Sequence, residues 1–213
     1  MADKYILAIE TSSSICGASI ILNDELLSIE EQNASRQHAE ILPDLTKASL
    51  NNINKTLDDI DAIAIGIGPG SFTGLRIGLG FAKGIAYAKT LPIIPVPSLL
   101  SLAFSLKSDK PKQGILHSHA RKVFYQTFQW KNNIPKINDE PVVAEIDDFI
   151  SVLNHGFQFN CENLLGDIKE LETAKPSSVN IGRLGSIYFD EWVVKQPYTL
   201  VPNYIAPFKI KNE

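Results

Sequence analysis

Residues 62–68, Ala-Ile-Ala-Ile-Gly-Ile-Gly, carry no polar side chain and run straight into Pro69-Gly70-Ser71 and a helical pattern over Phe72–Lys89. A strand apolar on both faces reads as a parallel strand covered on both sides, so the chain is expected to fold as an α/β protein. The segments before it agree. Lys4–Glu10 and Ile15–Leu22 are apolar runs joined by the polar turn Thr11-Ser12-Ser13-Ser14, and Asn23-Asp24 turns the chain into a third strand, Leu26–Glu31. The period becomes helical over Ser35–Asn52, where Ile41, Leu42, Leu45, Ala48 and Ser49 fall on neighbouring turns and Pro43 kinks the helix or sits near its start. A further strand, Ile93–Val96, precedes a helix over Ser98–Leu106.

The polar, proline-bearing stretch Lys107–Gln113 reads as a boundary, giving units 1–106 and 107–213. Beyond it, Ile115–His119, the turn at Ala120-Arg121-Lys122 and Val123–Trp130 repeat the opening strand, turn and strand. Ile6-Leu7 falls on Ile115-Leu116 and Glu10 on His119, at the common offset 115 − 6 = 109. Later elements are a helix near Ile146–Leu153, a strand around Phe157–Cys161 and a helix near Val179–Phe189.

Composition narrows the function classes. Twenty Lys and Arg against 24 Asp and Glu leave a net charge of -4, so no overall cationic surplus offsets phosphate repulsion, and direct tight nucleic-acid binding is not expected. Cys16 and Cys161, without a CxxC pair, fit buried thiols in a reducing compartment. The start carries no export signal, and the uncharged stretch Thr90–Leu106 is broken by three prolines. A cytoplasmic protein without a membrane segment is therefore expected.

The glycine-dense turn Gly66–Gly78 lies where backbone N–H groups often cradle phosphate, but known phosphate loops are not matched. Gly74 is followed by Leu75-Arg76 rather than Lys-Ser/Thr, and Gly68-x-Gly70 leads to Thr73. Ser71 lacks the flanking glycines of a nucleophile elbow and reads as a helix cap. In the helix that follows, apolar and small residues cover roughly 200° of arc and leave Arg76, Lys83 and Tyr87 as a polar stripe. Gly74, Gly78 and Ala82, four apart, permit close approach of a second helix. His38 has Leu42 at the i+4 place a metal pair needs, and His117 and His119 lack a third clustered ligand, so no metal site is expected. Asp58-Asp59 and Asp147-Asp148 read as helix-start charges, and Glu30-Glu31 as a solvated strand end.

Four segments together, Ile6–Ser13, His38–Pro43, Asp61–Gly66 and above all Gly68–Gly78, resemble the bacterial TsaB (YeaZ) family, densely from Tyr5 to about Leu102 and thinly beyond. The resemblance implies an actin/sugar-kinase/Hsp70-like (ASKHA) fold of two α/β lobes, the second reduced. It also implies non-catalytic support of TsaD, the paralogue that transfers threonylcarbamoyl to the adenosine beside the tRNA anticodon, with TsaE as the ATPase of the complex and a homodimer when TsaD is absent. Its partner contact uses the first two helices, here through Leu42, Leu45 and Ser49 and through Gly74, Leu75, Gly78, Leu79, Ala82 and Ala86. Actin-like ATPases end the first strand of each lobe with an acid. Here those places hold Glu10 and His119, so Glu10, Thr11, Ser12 and Ser13 read as a vestigial phosphate loop. No cofactor is expected for the chain alone, and at most weak ATP or ADP with magnesium in the complex. His119 before Ala120-Arg121 and Ala206 after Tyr204-Ile205 depart from the family pattern. The competing reading is an actin-fold ATPase or phosphotransferase acting alone through Glu10 and Thr11-Ser12-Ser13. A peptidase has the least support, since no metal pair or nucleophile constellation is present.

Overall fold

The computed structural model describes residues 3–34, 36–151, 153–166 and 171–205. Ser35, Val152 and Ala206, which entered the sequence reading, lie outside the described residues. The first sheet has strand order β3-β2-β1-β4-β5, formed by β1 (Tyr5–Glu10), β2 (Ile15–Leu22), β3 (Glu25–Asn33), β4 (Ala62–Gly68) and β5 (Ile93–Pro97). β1 pairs antiparallel with β2 and parallel with β4, and β4 pairs parallel with β5. Asn23 and Asp24 both have positive φ, the conformation that closes a tight two-residue hairpin.

Alternation along β1 and β4 sends side chains to two cores. Leu7, Ile9, Ile63 and Ile65 pack beneath α1 (His38–Asn51) and α2 (Phe72–Lys89), while Ile6, Ala8, Ala62 and Ala64 face α3 (Ser98–Ser105) and α5 (Ser178–Ile187). The all-apolar β4 is thus covered on both faces, as its sequence requires. α1 begins at His38, so Pro43 lies inside the helix.

The second sheet has order β11-β10-β6-β7-β8, from β6 (Gln113–His119), β7 (Lys122–Lys131), β8 (Ile134–Ile137), β10 (Gly156–Phe159) and β11 (Glu172–Thr173), with β9 (Val142–Glu145) also on β7. Its pairings reproduce the first sheet: β6 is antiparallel to β7 and parallel to β10, as β1 is to β2 and β4. The duplicated order is that of an ASKHA fold. Among the described residues helical cover is reduced, with the four-residue α4 (Glu162–Leu165) between β10 and β11. Over Ile146–Leu153 the expected helix is replaced by a 3-10 turn at Ile146–Asp148, where Asp147 pairs with Arg121 through two hydrogen bonds.

After α5 come α6 (Phe189–Trp192), a 3-10 turn at Pro197–Thr199 and a strap to Ile205. α5 lies on the first sheet although it follows the second in sequence. Small residues allow this: a side chain at Gly182 or Gly185 would come within 3.0 Å of Ala8 or Ala64. Glu31, read from sequence as solvated, is half-buried. Its Oε1 accepts from Ser177 Oγ at 3.0 Å, Ser178 Oγ at 2.7 Å and the Ser178 N–H, fixing the first turn of α5. The correction follows from register: Glu31 stands opposite Gly17, whose missing side chain leaves room for the carboxylate to lie over the sheet.

Candidate functional site

A cleft of about 1070 Å³ opens between the ends of the two sheets. One wall is the β1–β2 turn and the start of α2, the opposite wall is the β6–β7 turn, and Asn203–Ile205 of the strap closes a side. Of the candidate phosphate loop, Ser12 and Ser13 line the cleft, while Glu10 and Thr11 are buried and do not. Glu10 is 1% exposed, and its Oε1 accepts from the Ser12 N–H and Oγ–H, each at 2.5 Å. The Ser12 carbonyl accepts from Ser71 N–H at 2.7 Å, and a Cβ on Gly70 would collide with that carbonyl. Ser13 Oγ accepts from Ile15 N–H at 3.0 Å. Thr11 is fully buried, with an unpartnered Oγ1 beneath α2.

His38 fastens this loop from the side. Its Nε2 is 2.9 Å from the Ser13 carbonyl and 3.3 Å from the Ile15 carbonyl, and two acceptors require that Nε2 carry the proton. His38 is thus a positioning residue for the turn. Burial drives the Glu10 carboxyl up to about 7, opposed by the Ser12 hydrogen bonds and reinforced by the nearby Glu31 charge.

The fold family implies a magnesium nucleotide in such a cleft, and the donor set does not fit one. Glu10 is enclosed, committed to Ser12 and partly protonated at neutral pH, while the second acidic place holds His119. His117 Nε2 is 3.1 Å from the Ala120 carbonyl, His119 Nδ1 is 3.1 Å from Ser118 Oγ, and no metal-binding cluster occurs among the described residues. Ser71 caps α2, its Oγ accepting from Gly74 N–H at 3.2 Å. Both cysteines are free and buried, and burial pushes their thiols up to about 11 for Cys16 and about 12 for Cys161.

The helix residues assigned to a partner lie differently from the sequence reading. Gly74 and Gly78 face the chain's own Thr11, and a side chain at either would approach it well within 3.0 Å. Leu75, Leu79, Ala82, Ala86, Leu42 and Ser49 are buried in the home lobe, whereas Leu45 is half-buried. The small-residue stripe therefore serves the close seat of α2 on its own sheet. The polar stripe is also engaged: Arg76 Nε donates to Tyr204 Oη at 2.8 Å with its guanidinium 3.8 Å from the Phe72 ring centre, and Lys83 Nζ donates to the Tyr198 carbonyl at 2.9 Å. Also outward are Thr73, Gly80, Gly84, Ala88 and Tyr87, the last 75% exposed with its ring edge-on to Tyr198, and among the described residues nothing lies within 4 Å of a side chain built at either glycine. Half-buried Ile77, Phe81 and Ile85 border this face, and α1 beside it presents half-buried Ile41 and Leu45. The sequence reading passed over Gly80 and Gly84. Their four-residue spacing on the arc opposite Gly78 and Ala82 was the available signal.

The duplicated α/β topology and this cleft define an ASKHA-type protein. The family model described as TsaD, tRNA N6-adenosine threonylcarbamoyltransferase, matches residues 27–136, just over half of the chain. Haemophilus influenzae TsaB, a tRNA threonylcarbamoyladenosine biosynthesis protein, is 26% identical over all of this chain and 96% of its own length. Escherichia coli TsaB is 38% identical over 46% of this chain and 42% of its own. The tRNA N6-adenosine threonylcarbamoyltransferase of Streptococcus uberis is 27% identical over 70% of this chain and 48% of its own length. The crystal structure described as YeaZ from Pseudomonas aeruginosa superposes with a TM-score of 0.78 at 20% identity, over 94% of this chain and 99% of that one, and shares the fold. The chain belongs to this threonylcarbamoyltransferase family, on its TsaB/YeaZ side. No helix among the described residues is long and apolar enough to cross a membrane.

Proposed function

We propose that the chain acts in tRNA threonylcarbamoyladenosine biosynthesis as a non-catalytic platform for a TsaD-type transferase, in the cytoplasm, pairing with that chain through the outer face of α1 and α2 and with itself when the transferase is absent. Gly80 and Gly84 carry the reading. A glycine inside a helix costs roughly 0.5–1 kcal/mol relative to alanine, and here no neighbour among the described residues needs the space. A second helix laid across them, against Phe81, Ile77 and Leu45, makes use of that space. Units 1–106 and 107–213 form the two lobes, residues 178–205 returning to brace the first. A TsaE-type ATPase joins the assembled pair, and any nucleotide requirement belongs to the complex.

The enclosed Glu10 and the carbonyl-bound His38 support a role without chemistry of its own. Reconstitution tests this directly. A TsaD-type enzyme supplied with its activated threonylcarbamoyl donor and unmodified tRNA should modify the tRNA when the chain is added, while the chain alone transfers nothing. Transfer by the chain alone, or equal transfer without it, overturns the reading.

A further inference from the structure

We propose that the seating of α5 on the first sheet is proton-linked through Glu10: the helix stays down over the neutral carboxyl and lifts away when that carboxyl ionises. The proposal goes beyond the pairing role and does not rest on it. Glu10 ends β1 on the sheet face that α3 and α5 cover, and it is almost fully enclosed. Its Oε1 is taken by Ser12, while Oε2 lies 3.1 Å from the place where a Cβ on Gly66 would stand. Ile181 Cδ1 of α5 lies 3.4 Å and Ser98 Oγ of α3 3.7 Å from that same place, so α5 lays an apolar branch beside the carboxyl. Of the two covering helices, α3 follows β5 without a break, whereas α5 arrives from the second sheet and is held at its first turn by Glu31.

No cation pairs with Glu10 among the described residues. β2 brings Gly17 opposite it and the Cys16 thiol, which burial keeps neutral at about 11. The 11–14 turn brings Ser12, α1 brings His38 with its Nε2 committed to the Ser13 and Ile15 carbonyls, and α5 brings Ser177, Ser178 and Ile181. The charge that faces Glu10 is the Glu31 carboxylate, one strand beyond Gly17 in the same row, and it is of like sign. A carboxylate shut in by such groups has lost its water without gaining a counter-charge, so the helix that covers it is favoured over the protonated acid and opposed by the ionised one. Burial accordingly holds the carboxyl at about 7, above its ordinary 4.5, and opening of α5 grows as pH rises between these values and levels off above the higher one.

Hydrogen exchange of the full chain at about pH 6 and about pH 8.5, followed by mass spectrometry with times scaled for the intrinsic change in amide exchange, tests the proposal. α5 should open about tenfold more often at the higher pH, while β7 keeps its scaled rate. Glu10→Gln should abolish the difference in α5. Infrared difference spectra of the parent over the same range should show a buried protonated carboxyl losing its proton, a signal missing from Glu10→Gln. Equal scaled rates in α5 at the two pH values, the same difference in Glu10→Gln, an acceleration shared equally by β7, or no such carboxyl signal in the parent would each overturn it.

Discussion

The Glu31 carboxylate holds Ser178 by both its backbone N–H and its hydroxyl, joining the third strand to a helix 147 residues further along the chain. Through this contact the end of the chain returns to its beginning. Ser178 is fully buried, so removing the acceptor leaves its donors unsatisfied. Glu31→Ala should cost roughly 1–3 kcal/mol in urea unfolding, at the upper end for loss of a cap. Stability within 0.5 kcal/mol of the parent would show that the first turn of α5 is held by packing alone.

Glu10 makes the fold sensitive to pH in a defined direction. Its carboxyl titrates at about 7 when folded and near 4.5 when unfolded, so between these values the native state holds the extra proton and stability falls as pH rises. The cost is absent below about pH 4.5 and complete above about pH 7, on the order of 3 kcal/mol for a shift of this size. Glu10→Gln keeps an acceptor for Ser12 and should be more stable than the parent at pH 8, with the gap closing by pH 5. Parallel stability profiles for the two proteins would contradict this.

The two sets of glycines on α2 should respond oppositely. Gly80→Ala meets open space and should stabilise the isolated chain by about 0.5–1 kcal/mol. Gly74→Ala drives a methyl into the Thr11 carbonyl and should destabilise by about 1–3 kcal/mol or more. Thermal melts of the two variants at one concentration decide the matter.

His38→Ala removes the proton donor that ties the Ser13 and Ile15 carbonyls to α1. A loss of about 1 kcal/mol is expected, together with faster hydrogen exchange in the Ser12–Ile15 turn than in β5. Uniform exchange throughout the first sheet would deny the turn-positioning role.

Local features of the fold were legible because they depend on residues close in sequence. Ala62–Gly68 appears as β4 and Phe72–Lys89 as α2, with Ser71 as the cap. Asn23-Asp24 marked a hairpin, and the equivalent signal at Asn132-Asn133, both at positive φ, was available for the overlooked β7–β8 turn. The faces of α2 were not legible. A helical wheel shows that Gly74 and Gly78 share a side but not that Thr11 lies beneath them, and it cannot reveal that the strap occupies Arg76 and Lys83. The destination of α5 was hidden for the same reason, since it rests on Gly17, Gly182 and Gly185 meeting partners more than a hundred residues away or across strands.

The outward face of α2 is tested most directly by calorimetric affinity for the TsaD-type chain of the same cell, comparing the parent with Gly80→Leu and Gly84→Leu. These substitutions point away from the home lobe, so the variants should keep the parent's circular dichroism and melting behaviour to within a few degrees. Affinity reduced at least tenfold with the fold intact is the expected result. Unchanged affinity in both variants would contradict the account.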